Sequence, residues 1–216
     1  MHVSSVTQPP GPRLRRYTIA EYDRMAREGF FDGQRVELVE GRIIVMAAQY
    51  EPHVAGVSLA ARAAERAFGP GYWVRRQNPI RLGKRSKPEP DVAVVVGSEN
   101  DYIDSGAPEN PLLIIEVSDT TLRLDRGRKA AMYAKYSVAD YWILNIIDRQ
   151  LEVHREPIHD PSHRSKFHYA DVKALKLGES VAPLAAKDAH IPVADIMPKS
   201  PSKPQPRPRP RGDSVG

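Results

Sequence analysis

Cysteine is missing from all 216 residues, which excludes disulfides, thiolate zinc sites and cysteine nucleophiles. Any metal chemistry must come from carboxylate and imidazole, donors that suit hard cations such as magnesium or manganese. Long apolar runs are missing too. The longest, residues 43–48, is far short of the ~18–20 residues that a membrane-spanning helix needs. Residues 1–12 hold no charged segment followed by an apolar stretch, so no secretory signal is expected and the chain reads as cytoplasmic, without a membrane partner. What is present is ordinary for a folded domain. Apolar residues make up 41% and charged residues 27%, which rules out collagen-like and wholly disordered chains.

The net charge of +5 is unevenly placed. Arg13, Arg15 and Arg16 precede any acid and contribute +3, and the residues after Met197 contribute +4, which leaves the body at −2. The expected organisation is a flexible basic arm at 1–16, one domain at 17–197, and a disordered Pro/Arg-rich basic tail at 198–216. That last stretch holds six of the twenty prolines and too few large apolar side chains to offset the entropy of ordering. Its Arg-Pro alternation favours extended polyproline II, able to touch phosphate or simply to solubilise.

Thr18 and Glu21 have the spacing of a capping box, with Tyr17 and Tyr22 as a hydrophobic staple, which predicts a helix over 19–28. Residues 36–39 and 42–46 flank Glu40-Gly41 and read as a hairpin. Apolar residues at helical spacing after Pro52 predict a second helix over 53–68. Strands are expected at 72–82, 91–96 and 112–117, a helix at 125–136, and strands at 141–147 and 151–155. This order predicts an α/β (α+β) fold with helices packed on a central mixed sheet.

Two acids lie where burial makes charge costly. Asp91 precedes the apolar run 92–96 and Glu116 ends the run 112–115, so each must be paired, hydrogen-bonded or metal-bound. They could converge on one divalent cation, or each could cap a strand end. Glu37 points away from the face carrying Val36 and Leu38, towards either solvent or a site. His53 lies in the first turn of its helix, where it could bond a site acid or phosphate or remain an exposed helix-start residue. Arg75 and Gln77 precede Asp91, and alternation alone does not choose their face.

Pro90-Asp91 followed by Glu116-Val117-Ser118 resembles the PD-(D/E)xK signature of restriction-endonuclease-like nucleases, with Ser118 where that signature has lysine. The wider pattern of Glu37-Leu38-Val39-Glu40-Gly41, His53, Pro90 to Val94, Glu116 to Thr121, Asp125, Lys129, Tyr133 and Asp140-Tyr141-Trp142 resembles the bacterial Uma-two family of that superfamily. Ser137 departs from it, standing where a turn glycine is usual. The resemblance implies a metal-dependent endonuclease acting on nucleic acid, DNA foremost, with a homodimer as an assembly it admits. It implies that Asp91 and Glu116 bind Mg2+ or Mn2+, that the Val117 carbonyl adds a ligand, and that Glu37 and Lys129 complete the catalytic set. His53, Gln77 and Asp125 are expected in support, Asp125 holding Lys129 from one turn away. Removing Lys129 should then end cleavage with little loss of stability.

A rival cluster is His154, His159, His163 and His168, which prolines at 157 and 161 assign to a loop without fixed spacing. Trp142, Tyr133, Tyr136 and Tyr141 could stack bases, although their period and context point to the core. The alternative to an enzyme is a nuclease-fold module that binds nucleic acid or a partner without catalysis, a reading that the acidic body favours.

Overall fold

The computed structural model describes residues 13–199. Most of the expected arm at 1–16 and nearly all of the expected tail at 198–216 lie outside the described residues. The first helix, α1 (Ile19–Arg27), starts on the expected capping box, in which Glu21 and Thr18 exchange side-chain and backbone hydrogen bonds. Strands β1 (Val36–Val39) and β2 (Arg42–Val45) follow as an antiparallel hairpin. Glu40 and Gly41 both take positive φ, +49° and +77°, as the tight turn of such a hairpin demands. Next come α2 (Glu51–Phe68), β3 (Tyr72–Arg76), β4 (Val92–Val96) and β5 (Leu113–Ser118).

After β5 the chain forms α3 (Leu122–Leu124), a π turn over Asp125–Lys129, and α4 (Ala130–Lys135). It continues through β6 (Asp140–Asn145), β7 (Gln150–His159) and β8 (Phe167–Lys176). A short ladder of β9 (Ser180–Val181) with β10 (Ile191–Pro192), and then α5 (Val193–Ile196), complete the described chain. The six-stranded sheet has the order β3-β4-β5-β6-β7-β8. Only β5 and β6 pair in parallel, joined by the helical crossover. The fold is therefore a mixed sheet with helices on its faces. On one face, α2 and α5 pack on Val92, Val94, Ile115, Val117 and Trp142. On the other, α4 packs with the hairpin residue Val39 over Ala93, Ile114, Tyr141 and Ile143.

Several expectations are corrected. The strand at 72–82 stops at Arg76, because Gln77 takes φ +51° and turns the chain away. The helix at 125–136 begins three residues earlier and carries the π turn. The strand expected at 151–155 runs on to His159 and pairs with β8 in a long hairpin, so of the segment assigned to a loop only residues 160–166 are one. Pro157 is tolerated within β7 because the pairing with β6 ends at Asp140 and Arg155, so beyond that point only β8 is a ladder partner. Trp142, Tyr133 and Tyr141 are fully buried and belong to the core, while Tyr136 packs partly buried at its edge. Among the described residues, no helix is long and apolar enough to cross a membrane.

Candidate active site

Antiparallel pairing sets Val92 of β4 opposite Ile115 of β5. One step further along the same register, Asp91 comes opposite Glu116, and directly opposed residues share a face. Both are buried, at 6% and 3% exposure. The two acids found by sequence thus meet at one end of the sheet.

Three donors hold Asp91. Its Oδ1 accepts from Gln77 Nε2 at 3.0 Å and lies 3.1 Å from His53 Nε2, and its Oδ2 accepts from the Val117 backbone N–H at 2.9 Å. The strained φ of Gln77 delivers that amide, and α2 delivers His53. Gly56 lies one turn along α2, where a Cβ would stand 2.8 Å from Val117 Cγ1. The absence of a side chain there lets α2 lie close enough on β5 for His53 to reach the acid. A strand residue's N–H and C=O point to the same side, so the Val117 carbonyl also faces the Asp91 side. Burial works against the Asp91 charge, yet the His53, Gln77 and Val117 bonds hold its carboxyl below its ordinary value. Burial likewise opposes the His53 charge, but Asp91 lifts that imidazole above its usual value.

Glu116 is anchored through one oxygen. Its Oε1 accepts from Lys129 Nζ at 2.9 Å and from the Tyr133 hydroxyl at 2.7 Å. No described residue donates to its Oε2. Burial and the neighbouring acids outweigh Lys129 and push the Glu116 carboxyl up to about 8. Glu37 is also buried, at 1% exposure, and its Oε2 lies 3.2 Å from Lys129 Nζ. Its expected direction is right, but that direction leads into the domain, because the hairpin lies over the sheet with Val39 in the core. Burial lifts the Glu37 carboxyl above its usual range. Burial also opposes the Lys129 charge, but Glu116, Glu37, Asp125 and Asp91 together keep that ammonium above its ordinary value.

The expected Asp125–Lys129 pair does not form. The ammonium is drawn to Glu116 and Glu37, and the buried Asp125 carboxylate accepts from the Thr121 hydroxyl at 2.6 Å instead. Arg75 is also absent from the cleft, since it stacks on Trp73 at 4.2 Å and donates to the Pro79 carbonyl. The four histidines form ring contacts and no ligand set: His154 packs against Tyr141 and Tyr169, His159 stacks on Phe167, and His163 on His168. Sequence reasoning left Tyr133 in the core without its bond to Glu116. The available signal was its spacing of four from Lys129, one helical turn. Gln49, 3.0 Å from His53 Nε2, was missed altogether, for it lies in irregular chain just before α2.

Glu37, His53, Asp91, Glu116, Asp125 and Lys129 border a cavity of about 30 Å3, where ~10–15 Å3 suffices for one water. Among the described residues, no three His, Asp or Glu side chains converge as a cage for a metal ion. The donor set fits magnesium all the same. That ion keeps several waters and takes one or two carboxylates plus substrate oxygens, and here two opposed carboxylates border the cavity, with Glu116 Oε2 open.

Comparison with known proteins places the chain in a family and a fold. Residues 19–194 match the profile of the Uma2, or Uma-two, family, described as "Putative restriction endonuclease". No curated protein matches the chain. A crystal structure from Anabaena variabilis, described as "a putative nuclease belonging to DUF820", is similar with a TM-score of 0.60 at 15% identity, covering 83% of this chain and 97% of its own. At that identity the likeness speaks for the fold. The family match runs from α1 into α5, and the chain belongs to the Uma2 family of restriction-endonuclease-like proteins.

Proposed function

We propose that the chain is a metal-dependent endonuclease that hydrolyses phosphodiester bonds of DNA, with Asp91 and Glu116 as ligands of Mg2+ or Mn2+. The observation that carries this reading is the division of labour at Glu116, which stands opposite Asp91 in the strand register: its Oε1 is clamped by Lys129 and Tyr133 while its Oε2 accepts no hydrogen bond from a described residue. A bound divalent ion would acidify water and offset charge on the phosphoryl oxygens. The Val117 carbonyl would add a third oxygen.

The protein's own groups do the rest. Gln77, His53 and the Val117 N–H fix the Asp91 carboxylate in its ionised form, so the ligand is ready before substrate arrives. Lys129 keeps its charge although it is buried. There a fixed ammonium stabilises negative charge building on the phosphoryl group far better than it would in water. Glu37 shares the ammonium with Glu116 and so sets its position, while Asp125, tied to Thr121, adds negative potential that favours a cation.

Incubation with single- and double-stranded DNA and RNA, in magnesium, manganese or chelator, tests the assignment. Metal-dependent cleavage that chelator and Asp91→Asn both abolish supports it. Binding without cleavage on every substrate and metal points to the non-catalytic module instead.

A further inference from the structure

The slightly acidic body conceals a strong separation of charge. Acids crowd the cleft, at the open end of the β1–β2 hairpin, and cations crowd the opposite end. At the hairpin tip, the Gly41 N–H donates to the Arg85 carbonyl at 2.6 Å and the Gly41 carbonyl accepts from the Tyr17 N–H at 2.9 Å. The Ile19 N–H donates to the Lys84 carbonyl, also at 2.9 Å. Arg16 donates to the Glu40 carbonyl and Lys135 to the Glu40 carboxylate. Four separate segments thus present Arg15, Arg16, Arg42, Lys84, Arg85 and Lys135 together, all exposed.

Among the described residues, Glu21, paired with Arg15, and Glu40, paired with Lys135, offset these six cations, which leaves the ridge at +4. Arg42, Lys84 and Arg85 make no ion pair among the described residues. Like charges held side by side repel one another, and a backbone that fixes them there calls for an anionic partner.

We infer that this ridge binds the phosphate backbone of duplex DNA, a reading that rests on the nuclease proposal and names where its substrate docks. From Glu37 in the cleft to Val39, the last strand residue before the tip, is two residues, about 7 Å at ~3.4 Å per residue. Each strand of a duplex carries one phosphate per ~3.4 Å of axis, so a duplex with one phosphate at the cleft carries further phosphates past the ridge. Four of the six cations are arginines, whose planar guanidinium matches phosphate in a two-pronged contact.

The test uses all 216 residues of the chain in chelator, where cleavage is silent and binding is read by fluorescence anisotropy on a labelled DNA duplex over a range of salt. The triple variant Arg42→Gln, Lys84→Gln, Arg85→Gln, checked by circular dichroism, should bind at least ten-fold more weakly and lower the slope of log K against log salt by about 2.7, the loss of three phosphate contacts. A second triple, Arg62→Gln, Arg66→Gln, Lys187→Gln, removes the same charge from exposed positions elsewhere and should keep the wild-type slope. Equal losses in the two triples, an unchanged slope in the first, or binding of polyglutamate and not of the duplex would each overturn the assignment. Because binding is read without turnover, a catalytically silent protein with the expected slopes would sink the nuclease proposal and leave the ridge standing.

Discussion

Replacing Lys129 by Met keeps the bulk of the side chain and deletes one charge at the centre of the site. An exposed lysine four residues from an aspartate would contribute only ~0.3–0.5 kcal/mol, which underlies the expectation that its loss leaves stability intact. The structure reverses that expectation. Lys129 is 2% exposed and lies 2.9 Å from Glu116 and 3.2 Å from Glu37, themselves 3% and 1% exposed. Removing one partner of a buried pair leaves an uncompensated charge and costs ~3–5 kcal/mol.

The cost must depend on pH, because Glu116 already holds its proton to about 8 with the ammonium beside it, and without it protonation extends higher still. Near pH 5 Glu116 is neutral, and Lys129→Met should lose mainly hydrogen bonds, about 1–2 kcal/mol. Above pH 8 only the wild type ionises Glu116, so the loss should grow by about 1.4 kcal/mol per pH unit, towards the ~3–5 kcal/mol of a fully uncompensated charge. Urea denaturation of wild type and variant in chelator at pH 5.5 and pH 9 measures both values. Equal losses at the two pH values, or a loss under about 1 kcal/mol at pH 9, would refute the buried-pair account. A DNA cleavage assay on the same variant should show no turnover, and wild-type rates would remove Lys129 from the chemistry.

For the wild type in chelator, the folded state binds the Glu116 proton up to about pH 8 and the unfolded chain only to the ordinary 4.5. Stability should therefore fall as pH rises through that window, and millimolar Mg2+ should restore it above pH 8, which thermal melts with and without metal would reveal. Asp91→Asn should abolish calorimetric Mn2+ binding with a stability loss of about 1–3 kcal/mol from its mismatched hydrogen bonds, and undiminished binding would exclude Asp91 as a ligand. Tyr133→Phe frees Glu116 Oε1 from one of its two donors and should weaken metal affinity by about 10–100-fold, read by the same titration. Gly56→Ala drives a methyl group into Val117 and should lower stability by ~1–3 kcal/mol. It should also weaken the His53–Asp91 bond, visible as a drop in the His53 pKa by NMR.

Local rules made much of this protein legible from its residues. The Thr18–Glu21 box, the Glu40-Gly41 turn and the helical spacing after Pro52 are short-range signals, and each marks its element within two residues. Continuous apolar runs at 92–96 and 112–115 identify central strands, which made Asp91 and Glu116 conspicuous at their ends. Long-range geometry was not legible. Strand β8 lies at a sheet edge with many exposed polar residues, so it carries little of the burial pattern that announces a strand. Glu37 reads locally as half of a solvent-facing alternation, and only the packing of the hairpin onto the sheet buries it. Lys129 reads as one of four cations between residues 123 and 129, and only the crossover from β5 to α4 aims it at Glu116. Sequence by itself determined which groups are chemically costly to bury. Tertiary structure decided which of them share one cavity, because that depends on strand register and helix docking between residues up to 92 apart.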